Sequence, residues 1–371
     1  MSVATLARRA CVAPLLVLAC GAAPAHDDEA AASARIPQRV ALLARAQAEL
    51  ERGDAAQALD DFERAAMMLH AADAELGLIR AAMQDGQYRR ALAFCAHTAG
   101  EHTDDADGAA LYAWLLRIGG QDALARRTLA QARAAAPDDS IAAAVTTAFA
   151  ATPLVATGVL LQPLHRMAPW PVALTAEAPP PAAARFAGNA VLVGDGRVAL
   201  LPSTSTALST GARVWVRNGL GQATAAIVEA SDAALAARGL ARLALRVALP
   251  VGASREAIGR APFAGSPGYA VRFEAVDAPA WPLLVQGFLG GPVGDTDVRK
   301  LGFDAAPGTP VLDAHGELIG ITLAPAAWLP LAALAASPSA DSPRATGLVA
   351  PDAIYEAGLR RALQVLVEPS R

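Results

Sequence analysis

The chain has 371 residues with a formal net charge of −4; 54% are hydrophobic, 18% charged and 5% aromatic. That length holds two or three domains with cores of their own, and the apolar content excludes a disordered chain. With 31 basic residues against 35 acidic ones and no basic stripe interleaved with aromatics, the footprint of a nucleic-acid binder is missing, and the single lysine, Lys300, excludes a P-loop.

At the N-terminus, Arg8 and Arg9 precede the apolar run Val12 to Ala19, and Ala23-Pro24-Ala25 precedes the polar start at His26. This pattern predicts a signal peptide over 1–25 and secretion across the inner membrane to the periplasm. Val17-Leu18-Ala19-Cys20 also resembles a lipobox, in which Cys20 would carry lipid and anchor the chain; Leu18 suits that box poorly, so plain secretion comes first. Cleavage after Ala25 removes Cys11 and Cys20 and leaves Cys95 alone, so no internal disulfide is expected. No other segment has about 18 uninterrupted apolar residues, and membrane contact is expected only through a lipidated Cys20.

From Pro37 to about Ala150 alanines and leucines recur at helical spacing, broken by Gly or Asp-Asp. The pattern repeats. Gly53, Gly86 and Gly120 stand 33 and 34 residues apart, each followed five residues later by an alanine, Ala58, Ala91 and Ala125. A glycine there ends one helix in a turn, and the small residue lets its antiparallel partner cross closely. Phe62, Cys95 and Leu129 fill one apolar slot; Ala65, Thr98 and Ala132 fill the next, and Pro137 closes the third unit. The segment 37–150 resembles tetratricopeptide repeats, from which it departs at Cys95 and Thr98 and in the missing closing prolines of the first two units. Such repeats imply a concave face that binds a protein or peptide partner; the plainer alternative is a helical cap that packs on the next domain. Cys95, His97, Glu101, His102, Asp104 and Asp105 are metal-ligand types, but His97-x-x-x-Glu101-His102 is one residue too long for H-x-x-E-H. They read as a solvated loop between helices, with no metal and no cofactor expected.

Helical spacing stops after Phe149. Residues 151–187 form a connector, with Leu154–Val172 as a link or first strand and a proline-rich run at 177–184. Short strand patterns follow at Ala190–Val193, Val198–Leu201, Arg213–Val216, Ala225–Glu229, Leu243–Val247, Tyr269–Phe273, Leu283–Leu289, Thr309–Leu312 and Leu318–Thr322, spaced as in an antiparallel sandwich or barrel.

Several of these segments, in order, resemble trypsin-like proteases of the HtrA (high-temperature-requirement) type. Gly188-Asn189-Ala190-Val191-Leu192-Val193-Gly194-Asp195-Gly196-Arg197-Val198 is similar to their opening hairpin. Ala230-Ser231-Asp232 followed by Leu243-Ala244-Leu245-Arg246-Val247 is similar to the strand pair at their catalytic Asp. Pro310 to Ile321 resembles the hairpin after their nucleophile, and Gly347–Pro351 leading into Asp352–Gln364 resembles their last strand and closing helix, after a proline- and alanine-rich insertion at Ala324–Arg344. The resemblance implies a two-barrel domain over 188–365. The expected fold is therefore multidomain α and β, an N-terminal α-helical TPR-like repeat array plus a C-terminal all-β double-barrel trypsin-like domain.

The same resemblance assigns the catalytic positions, and each carries a residue unable to do the work. Ser203 stands where the family has its His, Ala241 where it has its Asp, and Pro307 where it has its Ser. A hydroxyl nucleophile, an imidazole and an orienting carboxylate are all needed, so no catalytic residue is expected. Proline also lacks the N–H that would serve an oxyanion hole. After the helices the histidines are His165 and His315, and Asp313-Ala314-His315-Gly316 reads as a hairpin tip. Leu289-Gly290-Gly291-Pro292-Val293 imitates the nucleophile loop but has Leu289 at the serine position. Ala264-Gly265-Ser266-Pro267-Gly268 has the spacing of a nucleophile elbow but precedes a strand, and Lys300 sits in the polar run 295–300. The expectation is an exported pseudoprotease-type binding or scaffold protein that holds partners through the repeat face or a barrel edge. The alternatives are an active trypsin-like endopeptidase with a triad in another register, and a structural envelope-associated protein.

Overall fold

The computed structural model describes residues 26–103, 106–151, 180–204, 208–230, 233–252, 256, 262–277, 280–334 and 347–368, with side-chain burial from residue 35 onward. The predicted signal peptide, Leu154–Val172, His165, Asp104, Asp105 and Asp232 lie outside these residues. No helix among the described residues is long and apolar enough to cross a membrane.

Seven helices come first: α1 (His26–Arg52), α2 (Ala55–Met68), α3 (Ala72–Gln84), α4 (Tyr88–Glu101), α5 (Ala106–Ile118), α6 (Asp122–Ala135) and α7 (Ser140–Ala150). The first starts well before Pro37, which it contains. Helices α1 to α6 form three pairs whose turns are built alike. Gly53, Gly86 and Gly120 have φ of 90°, 75° and 80°, and the next N–H reaches back five residues in each case: Asp54 to Glu49 O at 2.9 Å, Gln87 to Ala82 O at 2.8 Å, Gln121 to Leu116 O at 2.8 Å. Only glycine takes this left-handed conformation without strain. Ala58, Ala91 and Ala125 are fully buried at the helix crossings.

The strands form two closed antiparallel barrels of six. In chain order they are β1 (Arg185–Val193), β2 (Val198–Pro202), β3 (Arg213–Asn218), β4 (Ala223–Glu229), β5 (Leu240–Leu245), β6 (Pro267–Arg272), β7 (Leu283–Pro292), β8 (Arg299–Leu301), β9 (Pro310–Asp313), β10 (Leu318–Ala324), β11 (Ala327–Pro330) and β12 (Ala362–Val367), with helices α8 (Ala233–Ala237) and α9 (Pro351–Arg361) between them. The first barrel runs β1-β12-β3-β4-β5-β2, and the second β10-β11-β8-β7-β6-β9.

Three expectations are corrected. The polar run 295–300 is not all loop, because Arg299 and Lys300 enter β8 and Trp328 Nε1 donates to the Lys300 carbonyl at 3.2 Å. The supposed insertion at Ala324–Arg344 contributes β11 and a 3-10 turn, Leu331–Leu334. The segment before the closing helix forms no strand, and that helix stops at Arg361, where the chain becomes β12. Residues 362–366 are almost completely buried, pairing with β1 on one side and β3 on the other. A continued helix would leave the ladder groups of both neighbours unpaired in the interior, a larger cost than any local helix preference returns.

The helices and the barrels share one core. Tyr88 of α4 and Tyr355 of α9 meet edge to face at 4.4 Å. Their hydroxyls donate to Leu115 O at 2.7 Å and Pro282 O at 2.8 Å, and burial pushes both phenols up, so they act as neutral donors. A Cβ at Gly86 would meet Leu220 Cδ2 at 2.3 Å, and one at Gly120 would meet the Leu284 carbonyl oxygen at 2.8 Å. The turn ends of the second and third helix pairs are thus seated on the barrels.

At the junction of α9 and β12, Arg361 is 2% exposed and donates to Leu192 O at 3.1 Å and to Glu256 Oε1 at 2.8 Å. The same Glu256 oxygen accepts from Gly194 N at 2.6 Å. Arg361→Ala would leave this carboxylate without its cation, at a cost of about 3 kcal/mol, the lower end for a broken buried pair. A lower midpoint in chemical denaturation with unchanged slope is the expected result.

Candidate functional site

The crevice between the barrels, where the resemblance would set the catalytic positions, is packed with apolar side chains. Val191, Leu200 and Leu240 of the first barrel meet Leu318, Ile321, Leu329 and Leu331 on the side of the second. Ser203 follows β2, is exposed, and donates its N–H to Gly239 O at 2.8 Å. On β5, Ala241 lies opposite Leu201 and packs into the core of the first barrel. Strand alternation puts the next residue, Arg242, opposite Leu200 on the outer face. Arg242 pairs with Glu229 at 2.9 Å. No carboxylate therefore occupies either position.

The loop at Pro307 is clamped from within. Thr322 Oγ1 accepts from Thr309 N at 2.8 Å and contacts Ala306 O at 2.6 Å; Gly308 N donates to Thr322 O at 2.8 Å, and Thr309 Oγ1 donates to Ala306 O at 2.6 Å. Gly308, with φ of 84°, lies against β1 and the end of β2: a Cβ there would fall 2.0 Å from Asn189 O and 3.2 Å from Pro202 Cδ. The Ser203 and Pro307 regions are thus brought together, as the resemblance implies. An oxyanion hole of the trypsin type takes one N–H from the nucleophile position and one from two residues before it. Proline has none, and the N–H of Ala305 is spent on Pro325 O at 2.9 Å. That second loss is a tertiary hydrogen bond, and sequence reading had no means of finding it.

The other candidates fall away from the crevice. His315 is at the β9–β10 hairpin tip, where its N–H and that of Glu317 donate to Asp313 Oδ1 at 2.9 and 3.0 Å, and its Nδ1 lies 2.9 Å from Gly347 O. The length of β9, roughly 10–13 Å, separates it from Pro307. Ser266 lies in a turn after Gly265 that leads into β6, so it has no strand-to-helix elbow. Leu289 is buried in the second barrel, and Lys300 is exposed on β8.

Two features of the helices stand apart from the crevice. A groove of about 490 Å³ runs between α4, α5 and α6, lined by Ala96, Ala99, Thr103, Tyr112, Thr128 and Gln131 among others. Beside it, the loop expectation for His97 and His102 is corrected: both converge on Glu75 of α3, together with His70 from the α2–α3 link. Cys95 does not join them. It is fully buried in the helical core, and burial pushes its thiol up.

Because no imidazole among the described residues lies in the crevice, Pro307→Ser alone is expected to stay unlabelled by a fluorophosphonate probe, with intact-mass spectrometry as the readout. Stoichiometric labelling would place a proton acceptor within reach of residue 307.

No family model matches the chain, and no curated protein does. Among solved structures, the chain is similar to the apo protease domain of MamO from Magnetospirillum magneticum, at 18% identity and a TM-score of 0.29 over 41% of this chain and 88% of that one. It is also similar to Deg5, at 16% identity and a TM-score of 0.32 over 41% of this chain and 82% of that one. The double-barrel description rests on the strand pairing itself.

Proposed function

We propose that this is a pseudoprotease-type binding or scaffold protein: a helical array of tetratricopeptide type joined to a trypsin-like double barrel that performs no acyl transfer. The observation that carries this reading is the loop at 305–309. Proline stands at the nucleophile position, the second donor position is bonded internally, and Gly308 is packed flush on Asn189 and Pro202. Restoring one side chain would leave the crevice, among the described residues, without a base and without a donor pair. Loss of any one triad member alone removes most of the power of such a site.

Binding falls to the helices in this reading. Both barrels are closed in strand order, which makes a barrel edge the lesser candidate for an added strand. The α4–α6 groove is lined by small side chains, with Tyr112, Thr128 and Gln131 offering polar atoms, a surface suited to an apolar peptide segment with a few hydrogen-bonding groups. The exported location and the signal peptide at 1–25 belong to the same proposal, with anchoring through Cys20 as its lipidated form.

The purified chain is expected to turn over neither casein nor fluorogenic peptides. Capture from envelope extract is expected to recover a protein partner that is lost with Ala99→Arg and Gln131→Ala in the groove and kept with Ser203→Ala. Measurable hydrolysis abolished by Ser203→Ala or Ser266→Ala would refute the proposal, as would partner capture indifferent to the groove substitutions.

A further inference from the structure

Three histidines surround one buried carboxylate in the second helix pair. Glu75 has a side chain only 4% exposed. His70 Nε2 lies 2.6 Å from its Oε1, His97 Nε2 lies 3.3 Å from the same oxygen, and His102 Nε2 lies 3.5 Å from Oε2. One ligand atom each from His70, Glu75 and His102 fall within 4.8 Å of one another. The fourth residue, His97, brings its Nε2 to 3.0 Å from that of His70. Thr98 Oγ1 donates to Glu75 Oε2 at 2.7 Å and fixes the carboxylate from behind.

Hydrogen bonding alone serves this cluster poorly. A single N–H on His70 Nε2 cannot point at both Glu75 Oε1 and His97 Nε2, yet both are in contact. His102 Nε2 is shielded from solvent and makes no hydrogen bond. Among the described residues no lysine or arginine is paired with Glu75; its ionic partners are the three imidazoles. A single cation accepting a lone pair from each group would resolve all three difficulties.

The spacing fits such an ion. Metal–ligand bonds of about 2.0–2.1 Å in a tetrahedron put neighbouring ligand atoms about 3.3 Å apart. The separations of 2.6, 3.0 and 3.3 Å among His70, Glu75 Oε1 and His97 bracket that edge, and His102 stands 3.5 Å from the other carboxylate oxygen. Three imidazole nitrogens and one carboxylate oxygen suit a borderline-soft first-row ion. Magnesium and calcium demand oxygen donors, and Cys95 supplies no sulfur because it is turned into the core. Thr98 has the place of the outer hydrogen-bond partner that metal-binding carboxylates recruit.

We propose that His70, Glu75, His97 and His102 form a binding site for a zinc(II)-type divalent cation, which ties the α2–α3 link to the C-terminal turn of α4. Four protein ligands fill a tetrahedron, so the ion's role is structural and not hydrolytic. It holds Ala96, Ala99 and Thr103 in the wall of the α4–α6 groove. The site is independent of the crevice and stands or falls without regard to it.

The test uses the untagged purified chain, stripped with chelator, with zinc chloride titrated by calorimetry and metal content counted by mass spectrometry. One zinc per chain is expected, along with a thermal midpoint that rises with zinc and cobalt(II) absorption of tetrahedral intensity. Excess magnesium or calcium is expected not to compete. His70→Ala and His97→Ala replace exposed side chains and keep the fold by circular dichroism; each is expected to weaken zinc at least about tenfold, the least that loss even of an outer partner costs. His315→Ala is expected to bind as the parent does. Absence of stoichiometric zinc, or unchanged affinity in the His70→Ala, His97→Ala double variant, would overturn the assignment.

Discussion

The first barrel closes only because the last described strand of the chain enters it. Strand β12 lies between β1 and β3, with Leu363, Gln364 and Val365 fully buried and both of its edges paired. An open sheet at that position would expose two ladders of unpaired backbone groups next to an apolar interior. The strand reaches its slot through α9, which is itself held by the second barrel and the helices. Gly358 leaves room for Val271, and Tyr355 stacks on Tyr88. Closure of one barrel, docking of α9 and seating of the helical array are therefore coupled, and Arg361 stands where the three meet. Its guanidinium is buried at some cost, visible in a pKa lowered by desolvation, and Glu256 offsets part of it. Nearby, Arg217 is held down to about 10 by burial, and its Nε reaches Gln364 at 2.9 Å, so β12 is also pinned from within the sheet.

The crevice between the barrels is governed by its own local packing. An active hydrolase keeps polar groups poised there, with unpaired donors aimed at a developing charge, and such groups are costly when they are not used. Among the described residues, the backbone groups around the loop at 305–309 are bonded within the fold. Gly308 lies on Asn189, whose own Oδ1 accepts from Phe273 N at 3.0 Å, and the Ala305 N–H is taken by Pro325. The seam between the barrels is an apolar interface that packs one lobe against the other.

Features set by local chemistry were legible in the sequence. The glycines at 53, 86 and 120 announced their turns because positive φ is a property of one residue and its neighbours. The opening hairpin was legible because alternation over β1 and β2 is a period-two signal. Strand β12 was not legible. Leu-Gln-Val-Leu-Val after a helical run can continue the helix or begin a strand, and the choice is made by partners about 150 residues earlier. The short β8 hid in a charged run because only Leu301 of its three residues faces the interior. On β5, spacing pointed to Ala241, whereas the pleat turns that side chain inward and presents Arg242. The His–Glu cluster was half visible. His97 and His102 stood out as ligand types, but Glu75 lies on the partner helix α3 and His70 in the link before it, more than twenty residues away, and a search for ligands at metalloprotease spacing looks a few residues away.

The repeat geometry itself explains why that cluster sits where it does. In a stack of antiparallel helix pairs the turns within pairs lie at one end and the links between pairs at the other. Gly86 and Gly120 put the first kind against the barrels. The α2–α3 link with His70, the start of α3 with Glu75 and the end of α4 with His97 and His102 therefore fall at the opposite end, roughly 15–20 Å away at 1.5 Å per helical residue. The barrels brace one end of α3 and α4 through Leu220 and Tyr355 and cannot reach the other. At that free end a small apolar cluster, Leu42, Ala65 and Ala74, adjoins the polar group. Beside it stand a buried glutamate and three imidazoles, which a common cation would tie together. Of the two ends of this array, one is held by packing against the barrels, and the other carries the groups that could hold it by coordination.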